Sequence, residues 1–234
     1  MWWHPTIVTW FARYSRSSIG AKQVMAVTGL FLVLFAIVHM LGHLQMFGGP
    51  NMYNAYAHFL QELWEVKWPV RAGLLAFLLV HLVAGIAVYA RNRAARPVGY
   101  AKFTPVITST AARTMIWTGL FVFVFLAFHI FHFTLGQVQP ASFHVLDHAV
   151  DPLKRWDAYG MYVAGFQNVV IYVIYLVGMI LLCLHLGHGA SSWLQTLGWR
   201  HPKYPIDKVG TVVGWVLFIG YMIPPTAVLA GVIK

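Results

Sequence analysis

Histidines are the residues of this sequence whose type and spacing could do chemistry. The chain has twelve histidines in 234 residues, and seven of them lie within long apolar stretches, namely His39, His43, His81, His129, His132, His185 and His188. An imidazole ring in a water-free environment costs free energy unless it has a partner. Imidazole nitrogens are also common ligands of metal ions and metal cofactors. The set therefore predicts metal or cofactor ligands inside the apolar part of the chain.

The composition indicates which elements must position these histidines. Hydrophobic residues make up 59% of the chain and charged residues 9%, so lipid is the expected solvent. Five stretches without internal charge, each long enough to cross ~30 Å of hydrocarbon as a helix, span residues 22–47, 71–91, 113–135, 165–187 and 209–232. We expect one all-α membrane domain over residues 1–234, with five transmembrane helices, a short surface helix over 51–64 and no strong internal repeat.

The distribution of charge predicts the orientation of this bundle. Sixteen lysines and arginines stand against six aspartates and glutamates, and eleven of the basic residues fall on one side of a five-helix topology. The positive-inside bias predicts a cytoplasmic N-terminus and an outer C-terminus, and it explains the basic excess without nucleic acid. Cys183 is the only cysteine, so this chain alone can build neither a disulfide nor an iron–sulfur cluster.

Counting residues from the basic ends of the spans gives each histidine a depth. His39 and His129 lie 17 and 16 residues beyond such ends, which is roughly 25 Å from the cytoplasmic edge at helical rise. His81 and His185 lie in the inner half. Two levels with two histidines each, from four different helices, are what a pair of bis-histidine b haems requires. Depth does not decide between these residues and their neighbours His43, His132 and His188.

Several segments resemble one family of membrane cytochromes. These segments are SSIGAKQVMAVTGLFLVLFAIVHMLGHLQMFGG, NAYAHFL, LVHLVAGIAVY, FHIFHFTLG and LHLGHGASSWLQTLG. Together they are similar to the single-chain di-haem cytochrome b anchor of succinate:quinone oxidoreductases and quinol:fumarate reductases. The resemblance implies His39 and His129 as the outer haem ligands and His81 and His185 as the inner ones. His43 departs from the family, whose members often carry asparagine there.

The resemblance also implies cofactors and partners. Electrons would pass from a flavoprotein with covalent FAD, through an iron–sulfur subunit docked on the cytoplasmic side, to this anchor and then to a quinone, with menaquinone favoured. The chain itself carries no residues for succinate chemistry. The location would be a bacterial or archaeal-type cytoplasmic membrane, and a higher oligomer of the complex stays open. Candidates for propionate or quinone contacts are Arg16, Lys22, His188 and His201 on the inner side, and His43, Tyr53, His58 and His132 on the outer side.

Two other interpretations remain at the level of sequence. A cytochrome b subunit of a membrane hydrogenase or formate dehydrogenase would also hold two haems, but it would leave SSIGAK and LHLGHG unexplained. A transporter or a structural anchor would use the histidines for proton relay instead of haem ligation. A haem spectrum distinguishes a transporter or structural anchor from a cytochrome b. The identity of the partner subunits distinguishes a hydrogenase or formate dehydrogenase cytochrome b from the succinate enzyme.

Overall fold

The regular elements in the part of the chain that the structure describes are all helices. The computed structural model describes residues 7–15, 17–98, 109–143, 153, 155–199, 203 and 206–234. Within them the helices are α1 (Ile7–Ser15), α2 (Ser18–Leu44), α3 (Gly49–Glu62), α4 (Trp64–Ala94), α5 (Thr110–His129), α6 (Ala158–Gln167), α7 (Val169–Thr196) and α8 (Ile206–Leu229). Five of these segments, the ones built on α2, α4, α5, α7 and α8, are long and apolar enough to cross a membrane. The prediction of an all-α bundle with five such helices is confirmed.

The faces that these helices turn outward support the same conclusion. Large apolar side chains are exposed along their whole length, including Val83 at 65%, Phe121 at 57% and Val212 at 60%. An apolar surface of this extent is not compatible with water around the chain. The protein is a multi-pass membrane protein, and lipid or partner helices must cover these faces.

The fourth span begins and ends later than predicted. Residues 165–187 were expected, whereas α7 begins at Val169 and runs to Thr196. The reason is Asn168, which has extended backbone and whose side-chain oxygen accepts hydrogen bonds from the amides of Val170 and Ile171. Asparagine in this position caps a helix. The chain therefore breaks there, and Gly165 belongs to the separate helix α6.

Two short helices join the long ones at the end of the bundle that carries His39 and His129. A 3-10 turn over Gln45–Gly48 leads into α3 through Gly49, whose φ of 84° favours glycine. Helix α3 packs on α6, where the Asn54 side chain donates to Asp157 at 3.0 Å and accepts from the Tyr159 amide at 2.8 Å. The predicted surface helix over 51–64 thus exists as α3, and α6 is a second short helix, between α5 and α7.

The last helix packs closely on α7 through glycines. A Cβ atom on Gly210 would lie 1.8 Å from the Gly187 carbonyl oxygen, and one on Gly214 would lie 2.9 Å from the Cys183 carbonyl oxygen. Only glycine allows backbones this close. Gly210 and Gly214 are four residues apart, a small-xxx-small spacing that is typical of close helix packing. Tyr221 of α8 also donates to the Ala36 carbonyl at 2.6 Å and joins α8 to α2.

Candidate functional site: two facing histidine pairs

The inner pair is formed by His81 of α4 and His185 of α7. Their ring centroids are 6.4 Å apart with an interplanar angle of 70°. His81 Nδ1 lies 3.0 Å from the Met25 carbonyl oxygen and 3.2 Å from Thr28 Oγ1. A carbonyl only accepts hydrogen bonds, so Nδ1 of the neutral ring carries the proton and Nε2 keeps its lone pair. This is the tautomer that a metal ligand needs.

His185 is held in the same way by α5. Its Nδ1 lies 3.2 Å from Thr118 Oγ1, and the Thr118 hydroxyl donates its proton to the Met115 backbone carbonyl at 3.1 Å. The Thr118 oxygen therefore accepts from His185 Nδ1, which assigns the proton to Nδ1 and the lone pair to Nε2. Both rings of the inner pair thus have one nitrogen committed to a neighbouring helix and the other nitrogen available.

The outer pair is formed by His39 of α2 and His129 of α5. Their ring centroids are 5.9 Å apart with an interplanar angle of 81°. On α2, His39 lies eleven residues beyond Thr28, and on α5, His129 lies eleven residues beyond Thr118. Because the two threonines touch the inner histidines, the two pairs are separated by roughly 16 Å along the helix axes.

A chain of hydrogen bonds assigns the proton on His129. The Gln139 amide group donates to the Ala164 carbonyl at 3.3 Å, so Gln139 Oε1 accepts from His132 Nε2 at 3.0 Å. His132 Nδ1 must then accept from the Tyr175 hydroxyl at 3.0 Å, and the Tyr175 oxygen accepts from His129 Nδ1 at 3.2 Å. His129 is left with a lone pair on Nε2, as in the inner rings.

His39 differs from the other three rings because His43 contacts its Nε2. The two Nε2 atoms are 3.3 Å apart, and the rings meet edge to face with centroids 4.5 Å apart. His43 is held in turn by Tyr53, whose hydroxyl lies 3.0 Å from His43 Nδ1. Next to His43 stands Tyr162 of α6, and burial raises the pKa of its phenol well above the ordinary value. The hydroxyl of Tyr162 therefore stays protonated.

The spacing of both pairs fits an iron between the rings. Two imidazole bonds of about 2 Å on opposite sides of one ion put the ring centroids roughly 6 Å apart, and the observed separations are 5.9 and 6.4 Å. Among the described residues, no group of three or more His, Cys, Asp or Glu side chains could hold a metal ion. A haem iron needs only two side chains, since the porphyrin supplies its other ligands. The donor set fits two b haems.

The remaining candidate residues fall into three groups. His132 is 3% exposed and has both nitrogens engaged within the protein, and Tyr53 is buried against His43. His58 is exposed on α3 and lies 4.0 Å from Glu62, Lys22 is exposed, and His188 is partly exposed on α7. Arg16 and His201 lie outside the described residues.

Five residues of the two sites were missed by sequence reasoning. Thr28, Thr118, Tyr175, Gln139 and Tyr221 all contact the histidines or their supports, and the ring of Tyr221 lies 6.2 Å from that of His39. A signal existed for the two threonines, because each lies in the same pattern, Met-x-x-Thr-Gly-Leu-Phe. Nothing in the sequence singles out Tyr175 or Gln139.

The fold and the site define a class, a multi-pass helical membrane protein with paired histidines inside the bundle. Comparison with protein-family models, with curated proteins and with solved structures finds no match to this chain. The function must therefore be argued from the site and from the sequence motifs.

Proposed function

We propose that this chain is the di-haem cytochrome b membrane anchor of a succinate:quinone oxidoreductase. The observation that carries the proposal is that four histidines from four different helices form two facing pairs with centroids 5.9 and 6.4 Å apart. A transporter or structural anchor does not require rings that face each other at this separation. The SSIGAK and LHLGHG motifs favour the succinate enzyme over other haem-bearing anchors.

The histidines would act as axial ligands. A haem bound by two imidazoles is six-coordinate and low-spin, which suits electron transfer instead of oxygen chemistry. His81, His185 and His129 would offer Nε2, because hydrogen bonds hold the proton on Nδ1. On the outer side, His43 would turn away from His39 so that His39 Nε2 becomes available.

The complex would extend on the cytoplasmic side. A flavoprotein with covalent FAD and an iron–sulfur subunit would dock on the basic residues around the α4–α5 and α7–α8 connections, which include Arg93, Arg96, Lys203 and Lys208. Electrons would then pass through the inner and outer haems to a quinone, with menaquinone favoured. The N-terminus would be cytoplasmic, as the distribution of basic residues predicts.

A reduced-minus-oxidised optical spectrum of the purified chain, with haem quantification, tests the proposal. We expect a b-type signal and two haems per chain. The absence of a b-type signal would overturn the electron-transfer function, and one haem per chain would overturn the two-pair assignment.

Partner identification separates the succinate enzyme from the other cytochrome b interpretation. We expect mild solubilisation of the native membrane to retain a flavoprotein and an iron–sulfur subunit with this chain, identified by mass spectrometry. Recovery of a hydrogenase or a formate dehydrogenase subunit instead would show that the anchor serves another enzyme.

A further inference from the structure

The four helices that carry the histidine pairs consist of two similar units. Each unit runs from a long helix through a short one to a second long helix, as α2, α3 and α4 and again as α5, α6 and α7. Residues 25–39 of α2 align without gaps with residues 115–129 of α5, and seven of these fifteen positions are identical, Met, Thr, Gly, Leu, Phe, Phe and His. The prediction of no strong internal repeat is therefore wrong for these two helices.

The repeated residues make the same contacts in both units. Thr28 lies 3.2 Å from Nδ1 of His81, and Thr118 lies 3.2 Å from Nδ1 of His185. A Cβ atom on the glycine that follows each threonine would lie 3.0 Å from Cε1 of the same histidine ring, at Gly29 and at Gly119. The agreement of both contacts in two separate helix pairs argues against chance packing.

Each threonine can serve as the acceptor that an imidazole N–H needs. The Thr28 hydroxyl donates to the Val24 carbonyl at 2.8 Å, and the Thr118 hydroxyl donates to the Met115 carbonyl at 3.1 Å. With the hydroxyl proton used in this way, the oxygen lone pair faces the histidine and accepts from Nδ1. The β-branched side chain has few rotamers in a helix, so the acceptor is held rigidly.

We propose that Thr28 and Thr118 are equivalent positioning residues that orient the inner histidines His81 and His185 by accepting a hydrogen bond from their Nδ1 atoms. The glycines after them, Gly29 and Gly119, leave the space that each ring occupies. The inference rests on the proposed function, since it concerns the rings that would hold the inner haem. Hydrogen bonds of this kind orient a ligand and raise the electron density that it gives to the metal.

The test uses the whole complex with Thr28→Val, Thr118→Val and the double variant. Valine keeps the shape of threonine but cannot accept a hydrogen bond. We expect the affinity for the inner haem to fall about tenfold in Thr118→Val, and by less in Thr28→Val, where the Met25 carbonyl still accepts from His81 Nδ1. In both variants the midpoint potential should rise, because the imidazole donates less to the oxidised iron. The outer haem should keep its spectrum and potential, which also reports that the variants fold.

Controls separate positioning from packing. Thr28→Ser and Thr118→Ser keep the hydroxyl and should restore the potential of the inner haem. Thr114→Val removes a hydroxyl one turn earlier on α5 that bonds only backbone carbonyls, and it should change neither haem. Equal inner-haem potentials in wild type and both valine variants would overturn the inference, as would a shift that serine does not reverse.

The outcomes also distinguish this inference from the proposed function. If the wild-type complex contains no haem, the proposed function fails and the inference fails with it. If the wild type holds two haems and the valine variants leave the inner one unchanged, only the positioning role of the threonines fails.

Discussion

The inner and outer histidine pairs are built from the same repeated unit, yet only the inner pair is symmetric. At the inner pair, a threonine hydroxyl of the neighbouring helix lies 3.2 Å from Nδ1 of each ring, and the glycine after it leaves room for the ring in both cases. At the outer pair, His129 is held through Tyr175, whereas Nε2 of His39 contacts His43. The inner rings are thus held in one orientation by their hydrogen bonds. The outer rings have polar neighbours, such as His43, whose hydrogen bonds can be rearranged.

The difference arises where the repeat ends. After His39 the chain continues as α-helix to Leu44, which places His43 one turn further on the same face. After His129 it forms a π-helical segment over Ile130–Thr134, and His132 becomes the second histidine. A π-helical turn inside a helix often occurs at a functional site. The two units therefore differ in their polar residues at the outer end, where one has His43 and the other has His132.

Removing an inner ligand should produce the largest effect. We expect His81→Ala and His185→Ala each to abolish the same inner haem and to leave the outer haem in place, because both rings would bind one iron. The measurement is haem content per chain combined with a redox titration. His188→Ala, one turn along α7, is the matched control and should keep both haems. Loss of different haems in the two ligand variants contradicts the pairing.

The outer pair allows a comparison between His39 and His43. We expect His39→Ala to abolish the outer haem, whereas His43→Leu should retain it and bind it more tightly, because His43 competes for Nε2 of His39. Haem titration of each variant measures the effect. The reverse result, with loss of the haem only in His43→Leu, would identify His43 as the ligand.

The hydroxyl of Tyr175 should matter for the outer pair alone. Tyr175→Phe removes the partner of both His129 Nδ1 and His132 Nδ1. Leaving such buried groups unsatisfied costs about 1–3 kcal/mol, so we expect roughly tenfold weaker binding of the outer haem and no change at the inner one.

Tyr172→Phe is the matched control for this prediction. The Tyr172 hydroxyl belongs to the same helix but bonds Thr226 of α8 at 3.0 Å. The Tyr172→Phe variant should therefore leave the affinity for both haems unchanged. An equal loss in the two variants would mean that packing of α7, and not the hydrogen bonds of Tyr175, controls the outer site.

The sequence predicts the helices and the histidine pairs for simple physical reasons. Charges are rare enough to mark the ends of each span, and a uniform helical rise converts residue counts into depth. Depth gave two levels and left His43, His132 and His188 open, and the family resemblance selected His39 with His129 and His81 with His185. In the fold the ring centroids of these two pairs lie 5.9 and 6.4 Å apart.

The supporting residues are harder to predict because they depend on the rotation of each helix about its axis. In a helix that is apolar on all sides, no periodicity tells which face meets a neighbour. The sequence alone therefore does not indicate that Tyr175 and Gln139 contact the histidines of the outer pair or their supports. The break at Asn168 was also missed, since a cap inside a long apolar region looks like one more tolerated polar residue.

The smallest effect on the haem sites should come from the contact between α3 and α6 at the outer end of the bundle. Asn54→Ala removes the acceptor of the buried Tyr159 amide and the donor to Asp157. We expect a loss of about 1–3 kcal/mol in stability, seen as a lower thermal midpoint in detergent, with an unchanged potential of the inner haem. Gln61→Ala is the control, because Gln61 is exposed at the end of α3 and its side chain bonds only Lys67. An Asn54→Ala variant that alters the inner haem would show that the two pairs are not independent.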